Sequence, residues 1–239
     1  MLITLPNAFG DAPTNMAIDA ALLETLPEGL AAFRHYGWVE PAITFGYTQK
    51  FAFMQEASAT PEASYCRRLT GGGIVDHRND WTYALIIQTD LPAAHTPAND
   101  LYTLIHQAIQ AALSTQHIES QLAPCPRQCG EAPAAPSKTA SQCFVTPAAS
   151  DVLQPSGRKI AGAAMKRSKA GLLVQGSIDR ASLPETFDYE AFKLALIDEL
   201  SVALDIPIGT VEDLRTLFNS ERIQEERQRF ESSEWLKKR

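Results

Sequence analysis

Arg67-Arg68-Leu69-Thr70-Gly71-Gly72-Gly73-Ile74-Val75-Asp76-His77 is the stretch that decides how this chain folds. Glycine surrenders the most backbone entropy on ordering and offers no side chain to a core, so three in a row serve the backbone, letting it come close to something. The run is not a nucleotide P-loop, because no Gly-Lys-Ser/Thr follows at the required spacing. Nor is it a dinucleotide fingerprint, because no helix-forming stretch opens after it. Ile74-Val75 and Trp81-Thr82-Tyr83-Ala84-Leu85-Ile86-Ile87 follow instead, β-branched and aromatic residues that read as strand. The glycines therefore predict a loop between two strands, flanked by cations, with a plain glycine-rich β-turn as the simpler alternative.

Upstream of the loop, Asp11-Ala12-Pro13-Thr14 offers a helix start, with Asp11 or Thr14 as cap and Pro13 tolerated in the first turn. The helix itself is read over Asn15 to Glu24. Ala32–Trp38 and Ala42–Tyr47 read as two strands joined around Glu40-Pro41, most economically as a hairpin. Downstream, Leu101, Leu104, Ile105, Ala108, Ile109, Ala112 and Leu113 recur at three and four within Thr96–Gln116, which predicts an amphipathic helix. His106 lies beside that stripe and reads as a helix-surface residue. Residues 123–141 are rich in Pro and Ala with little to pack, so a surface loop is expected. Asp151–Gln154, Arg158–Arg167 and Leu172–Ile178, separated by Pro155-Ser156-Gly157 and Ser168-Lys169-Ala170-Gly171, predict a three-stranded meander. Residues 188–239 are expected to be helical, with Tyr189, Phe192, Leu196, Leu200 and Leu204 on one face. Trp235 is expected to anchor the charged end. Helices at both ends around short strands, without βαβ alternation or an internal repeat, predict an α+β fold: one domain over 1–239 on a mixed, largely antiparallel sheet flanked by helices.

The chain has 239 residues, enough to bury a core without metal or disulfide help, and is 45% hydrophobic and 21% charged. A net charge of −7 argues against nucleic-acid binding. No apolar stretch approaches the roughly 20 residues of a membrane span, so no membrane partner is expected. Met1-Leu2-Ile3-Thr4-Leu5-Pro6 lacks the basic and long apolar segments of a secretory signal, which points to the cytoplasm and reduced thiols. Cys125 and Cys129 are spaced as half a metal site with no second ligand pair, so no metal is expected; Cys66 reads as a buried small hydrophobe.

Taken together, Asn15-Met16-Ala17-Ile18-Asp19, Tyr36-Gly37-Trp38, Pro41-Ala42-Ile43-Thr44-Phe45-Gly46-Tyr47-Thr48-Gln49, the arginine-glycine loop, Gly157-Arg158-Lys159-Ile160-Ala161-Gly162-Ala163-Ala164, Gln175-Gly176-Ser177-Ile178 and Ser233-Glu234-Trp235 run in one order over most of the chain. In that order they resemble the lipoate/biotin protein ligase and octanoyltransferase superfamily. The resemblance implies a class II synthetase/biotinyl protein ligase-like sheet that grips a medium-length acyl chain in a tunnel and presents its carbonyl to a lysine of a carrier domain. It makes Arg67, Arg68, Thr70, Gly71, Gly72, Gly73, His77, Gly162, Gln175, Gly176 and Ser177 substrate-binding candidates. It also puts Lys159, of the Lys-x-x-Gly pattern, beside the reacting carbonyl, where a cation stabilises the developing oxyanion.

Cys143 in Ser141-Gln142-Cys143-Phe144 resembles the Cys-Phe of the Gram-positive-type octanoyltransferases and lipoyl amidotransferases. The resemblance therefore implies thioester exchange through a cysteine acyl-enzyme without cofactor. Donor and acceptor would be acyl carrier protein and a lipoyl domain or glycine-cleavage H protein. Lys159 would favour the thiolate. Two alternatives stay open: an ATP- and Mg-dependent lipoate–protein ligase, and a carrier-binding homologue without catalysis. Gln175 stands where many relatives have histidine, and Asp76 where an aliphatic or aromatic residue is usual. Arg67, Arg68, Lys166, Arg167 and Lys169 supply local positive charge that would steer acidic carrier surfaces.

Overall fold

The computed structural model describes residues 1–57, 62–124 and 147–238. In chain order the elements are β1 (Leu2–Thr4), β2 (Ala8–Gly10), helix α1 (Ala12–Thr25), β3 (Ala31–Trp38), β4 (Ala42–Phe45), α2 (Phe51–Ala57), β5 (Ser64–Arg67), β6 (Ile74–Asp76) and β7 (Asp80–Gln88). Then come α3 (Ala98–Ser114), β8 (Gln121–Leu122), β9 (Val152–Leu153), β10 (Lys159–Arg167), β11 (Gly171–Asp179), α4 (Tyr189–Leu204), α5 (Ser220–Glu231) and α6 (Ser233–Leu236).

Two mixed sheets form. The larger runs β1-β3-β7-β11-β10-β9-β8, with β2 joining β3 beyond the end of β1; the smaller runs β5-β4-β6. The meander is present as β9, β10 and β11, all antiparallel. The fold is thus the expected α+β class, a mixed and largely antiparallel sheet with flanking helices.

Alternation along the strands sorts the core. Phe33, Tyr83, Leu85 and Val174 face α3 and α4. Ala32, Ala84, Ile86 and Leu173 face α1, which α5 and α6 cover through Phe230 and Trp235. Asp11 caps α1 by accepting the Thr14 amide at 2.8 Å, with Pro13 in the first turn where its missing N–H costs nothing. Because the sheet and α5 press on it from both sides, α1 buries Asn15 and Asp19 as completely as its apolar residues.

Two expectations are corrected. β3 and β4 do not form a hairpin. β4 crosses into the small sheet, paired parallel with β5 and antiparallel with β6, while β3 is held by β1, β2 and β7. Every residue of β4 is buried, so the strand has no polar side to betray which sheet it serves. His106 is not a surface residue: it is fully buried and edge-on to Tyr102 at 4.1 Å. α3 packs against both the sheet and α4, which buries a wider arc than its apolar stripe marks.

Burial, reinforced by the charge of Lys159, pushes the His106 ring down to about 3. Unfolded, the same ring takes a proton near about 6.5, so between these values the unfolded state binds more protons and stability falls as pH falls. Denaturant titrations should show the wild type losing about 2 kcal/mol more than His106→Leu between pH 7 and about pH 5. Equal losses would show that the ring is not held neutral.

Candidate active site

Between the two sheets, on the α1 side, lies a partly open cavity whose empty space, open mouth included, is about 410 Å³. Gly72, exposed, and Ala163 and Ala164, half-buried, form the mouth. Met16, Tyr36 and Thr44, each at most 2% exposed, form the deep end.

The arginine-glycine loop supplies one wall. Its backbone folds around its own cation: the Arg68 guanidinium donates to the carbonyls of Gly71 and Gly73 at 2.9 and 3.0 Å and to Thr44 Oγ1 at 2.8 Å. Gly72 has φ 85°, a conformation that favours glycine, whereas a Cβ on Gly71 would meet nothing. The close approach occurs opposite, at Gly46, where a Cβ would lie 2.1 Å from the Gly72 carbonyl oxygen.

A belt of buried hydrogen bonds ties this loop to both sheets and to α1. Asp19 accepts from Arg34 at 2.7 Å, from Tyr36 at 3.1 Å and from the Gln175 amide at 2.8 Å. Thr70 donates to the Gln175 side-chain oxygen at 2.8 Å, and Arg68 reaches Thr70 at 3.3 Å and Thr44 beyond it. Thr44 Oγ1 meets His77 Nε2 at 2.7 Å, while His77 Nδ1 meets Asp80 at 2.7 Å, where Ser177 and Thr82 also donate. Trp38 stacks on the His77 ring at 4.0 Å and fixes its plane. Desolvation lifts the Asp19 carboxyl above the ordinary carboxylate range, against the pull of Arg34, Gln175 and Tyr36.

At the other end of the wall, Lys159 is 4% exposed and its Nζ pairs with Asp151 at 2.7 Å. Asp151 is itself held by Tyr102 at 2.6 Å, whose hydroxyl accepts the Ala163 amide at 3.2 Å. A Cβ on Gly162 would sit 2.4 Å from Lys159 Nζ and 2.8 Å from Asp151 Oδ1. Gly162 lines the cavity opposite Ser177 in register, so the absent side chain is the space in which the ammonium stands.

Residues 11–200 match the profile described as lipoyl protein ligase A/B catalytic domain. The chain belongs to that family. It is 32% identical over 187 residues to octanoyltransferase LipM of Halalkalibacterium halodurans, covering 75% of this chain and 67% of that one. Across further relatives of that name the matched share of their length falls as low as 60%. Among solved structures it resembles a lipoate-protein ligase A bound with ATP, with a TM-score of 0.69, 16% identity and coverage of 98% of this chain and 97% of that one. It also resembles the bi-partite lipoate protein ligase of Thermoplasma acidophilum, described together with its E2 lipoyl domain, with a TM-score of 0.66, 16% identity and coverage of 98% and 94%. At such identities the structural likeness concerns the fold.

Within this lipoyl ligase family member the cavity gathers Arg68, Gly72, His77, Gly162, Gln175, Gly176 and Ser177, with Lys159 against its wall at Gly162. Thr70 stands behind the wall in the belt, and Gly71 and Gly73 turn their carbonyls to Arg68. Arg67 does not join them. Its guanidinium is buried on the far side, donating to the carbonyls of Tyr47, Gln49, Trp235 and Leu236 at 2.7 to 3.0 Å. With Arg67 fully buried and Arg68 5% exposed, neither belongs to a steering surface. Asp76 is ion-paired with Arg78 and both are about half exposed, away from the cavity lining. β11 is hydrogen-bonded to β7 and β10 on both edges, which engages the Gly176 and Ser177 amides in the ladder. Cys143, Cys125 and Cys129 and most of the 123–141 loop lie outside the described residues. Among the described residues no group of His, Cys, Asp and Glu is placed to hold a metal.

Sequence reasoning missed Asp19, Arg34, Asp80, Thr44 and Asp151. Two signals were present: Asn15 and Asp19 at a spacing of four inside an otherwise apolar helix, and Arg34 inside the apolar run Ala31-Ala32-Phe33. Because Arg34 compensates a carboxylate with no exposure, Arg34→Met should lower the unfolding free energy by about 3–5 kcal/mol in urea melts. Adding Asp19→Asn should restore part of that loss, since the variants share one interaction. Strict additivity would show that the two residues act independently.

Proposed function

We propose that this chain is an acyltransferase of protein lipoylation. It moves an octanoyl (or lipoyl) group from an acyl-carrier-protein thioester, through an acyl-enzyme on Cys143, to a lysine of a lipoyl domain or glycine-cleavage H protein. The observation that carries the reading is the Lys159 ammonium, locked by Asp151 into the space above Gly162 in the wall of a largely apolar cavity. A fixed cation beside the cavity wall is suited to a developing oxyanion.

In the first step the Cys143 thiolate attacks the donor carbonyl. A carbon–sulfur bond to Cys143 forms, the donor's carbon–sulfur bond breaks, and the carrier thiolate takes up a proton. In the second step the neutral amine of the acceptor lysine attacks the acyl-enzyme. The amide carbon–nitrogen bond forms, the bond to Cys143 breaks, and the amine's surplus proton returns to the sulfur. Thioester exchange is nearly isoenergetic and amide formation runs downhill, so the cycle consumes no ATP and needs no metal. Lys159 stabilises the oxyanion in both steps and the thiolate between them, with amides of Gly72 and Gly73 as further donors. Met16, Val75 and Ala164 give the acyl chain its apolar surroundings.

Cys66 is unsuited to the nucleophile's role. It is fully buried, and burial pushes its thiol up to about 12, which leaves almost no thiolate. A reduced Cys143 suits the cytoplasm, and no described helix is long and apolar enough to cross a membrane.

Intact-protein mass spectrometry after mixing with octanoyl-acyl carrier protein, without ATP, should show an octanoyl adduct that disappears in Cys143→Ser. Gly162→Ala, which drives a methyl into Lys159 Nζ and the buried Asp151 carboxylate, should load at least about 100-fold more slowly per folded molecule and melt at a lower temperature than the wild type. ATP-dependent loading of free lipoate that survives Cys143→Ala would replace this reading with that of a ligase. Binding of a lipoyl domain without any transfer, from either donor, would make the chain a catalytically silent carrier-binding homologue.

A further inference from the structure

We propose that Met16 is the gauge of the acyl pocket, the residue whose terminal atoms end the space open to a linear acyl chain and set its length. The inference rests on the acyl-transfer reading above and extends it to substrate selection.

The cavity is graded from mouth to floor. Gly72, Ala163 and Ala164 are open to solvent in part, whereas Met16 and Tyr36 are 2% and 1% exposed. The carbonyl end is fixed by Lys159 over Gly162, whose strand neighbour is Ser177. Two residues back along the same strand, Gln175 points to the same side and donates to Met16 Sδ at 3.3 Å. A chain entering past Lys159 therefore runs along β11 toward α1 and meets the thioether of Met16.

What stands behind and beside Met16 cannot yield. Gln175 is tied at once to Thr70 and to Asp19, at 2.8 Å each. Tyr36 gives its hydroxyl to Asp19 and is covered by the Arg34 guanidinium 4.2 Å from its ring centre. Moving either would leave part of a buried carboxylate without its donors. Unlike Gln175 and Tyr36, Met16 takes no part in holding Asp19. Its unbranched side chain can be shortened or bulked at the cost of one bond from Gln175 to sulfur, leaving the bonds to Asp19 in place.

The test is the initial rate of acyl-enzyme formation by the full chain, read by intact mass, with hexanoyl, octanoyl, decanoyl and dodecanoyl thioesters of acyl carrier protein. Wild type should prefer octanoyl. Met16→Ala, which removes Cγ, Sδ and Cε, should raise the decanoyl-to-octanoyl rate ratio at least about tenfold. Met16→Phe should shift preference toward hexanoyl. A folded Met16→Ala protein with the wild-type ratio overturns the gauge. If that variant does not fold, an unchanged hexanoyl-to-octanoyl ratio in Met16→Phe overturns it equally. Loading by the wild type without discrimination by length also defeats the gauge while leaving acyl transfer standing. No loading at any length defeats the acyl-transfer reading itself and the gauge with it.

Discussion

A carboxylate with no access to water organises this protein. Asp19 sits on a helix buried on both sides, and its charge is tolerable only while Arg34, Tyr36 and Gln175 all point at it. Each of those residues belongs to the large sheet, so one unfavourable burial fixes the orientation of three strand side chains at once. Gln175 then carries the constraint across the cavity through Thr70 to the arginine-glycine loop. An amide suits this relay because it accepts from Thr70 with its oxygen while donating to Asp19 with its nitrogen. A neutral imidazole can also donate on one side and accept on the other, but only Gln does so without titrating.

The opposite end of the cavity is built by exclusion rather than attraction. Lys159, Asp151 and Gly162 occupy a volume that admits an ammonium, a carboxylate and no methyl group. The spacing in Lys-x-x-Gly thereby acquires a physical meaning: β10 shifts register between Lys159 and Ala161, and glycine at 162 leaves the ammonium room in the wall. Glycines elsewhere follow the same logic. Gly46 is required by the approach of the Gly72 carbonyl, and within the triple glycine the conformational demand falls on Gly72.

Much of this was legible from residue order. The caps of α1, the stripe of α3, the turns of the meander and the loop between β5 and β6 are local features, and local features are written locally. The partners of β4 were not legible, because a wholly buried four-residue strand carries no alternation and its neighbours come from residues 64–67 and 74–76. His106 and Asp19 were hidden for a related reason. A helix pressed from two sides buries polar residues that its sequence presents as solvent-facing, and only the partners reveal it. The site was half legible: motifs named Arg68, His77, Lys159, Gly162 and Gln175, while the carboxylate that Gln175 serves, Asp19, lies 156 residues away in sequence.

The paired arginines show how one such motif divides its labour. Successive strand residues point to opposite faces, so Arg67 and Arg68 at the end of β5 cannot serve the same side. Arg68 turns inward, and the glycine loop closes around it to make a cavity wall. Arg67 turns outward over Phe45 at 4.8 Å and takes the carbonyls of Trp235 and Leu236, while the Trp235 indole N–H returns a bond to the Arg67 carbonyl at 2.9 Å. The α6 turn is thus bonded to the same strand end that launches the loop. Displacing it would take the Trp235 and Leu236 carbonyls from a buried guanidinium and would disturb the strand from which Arg68 reaches into the cavity. The geometry of the cavity therefore depends on residues 235–236, which are not among its lining residues.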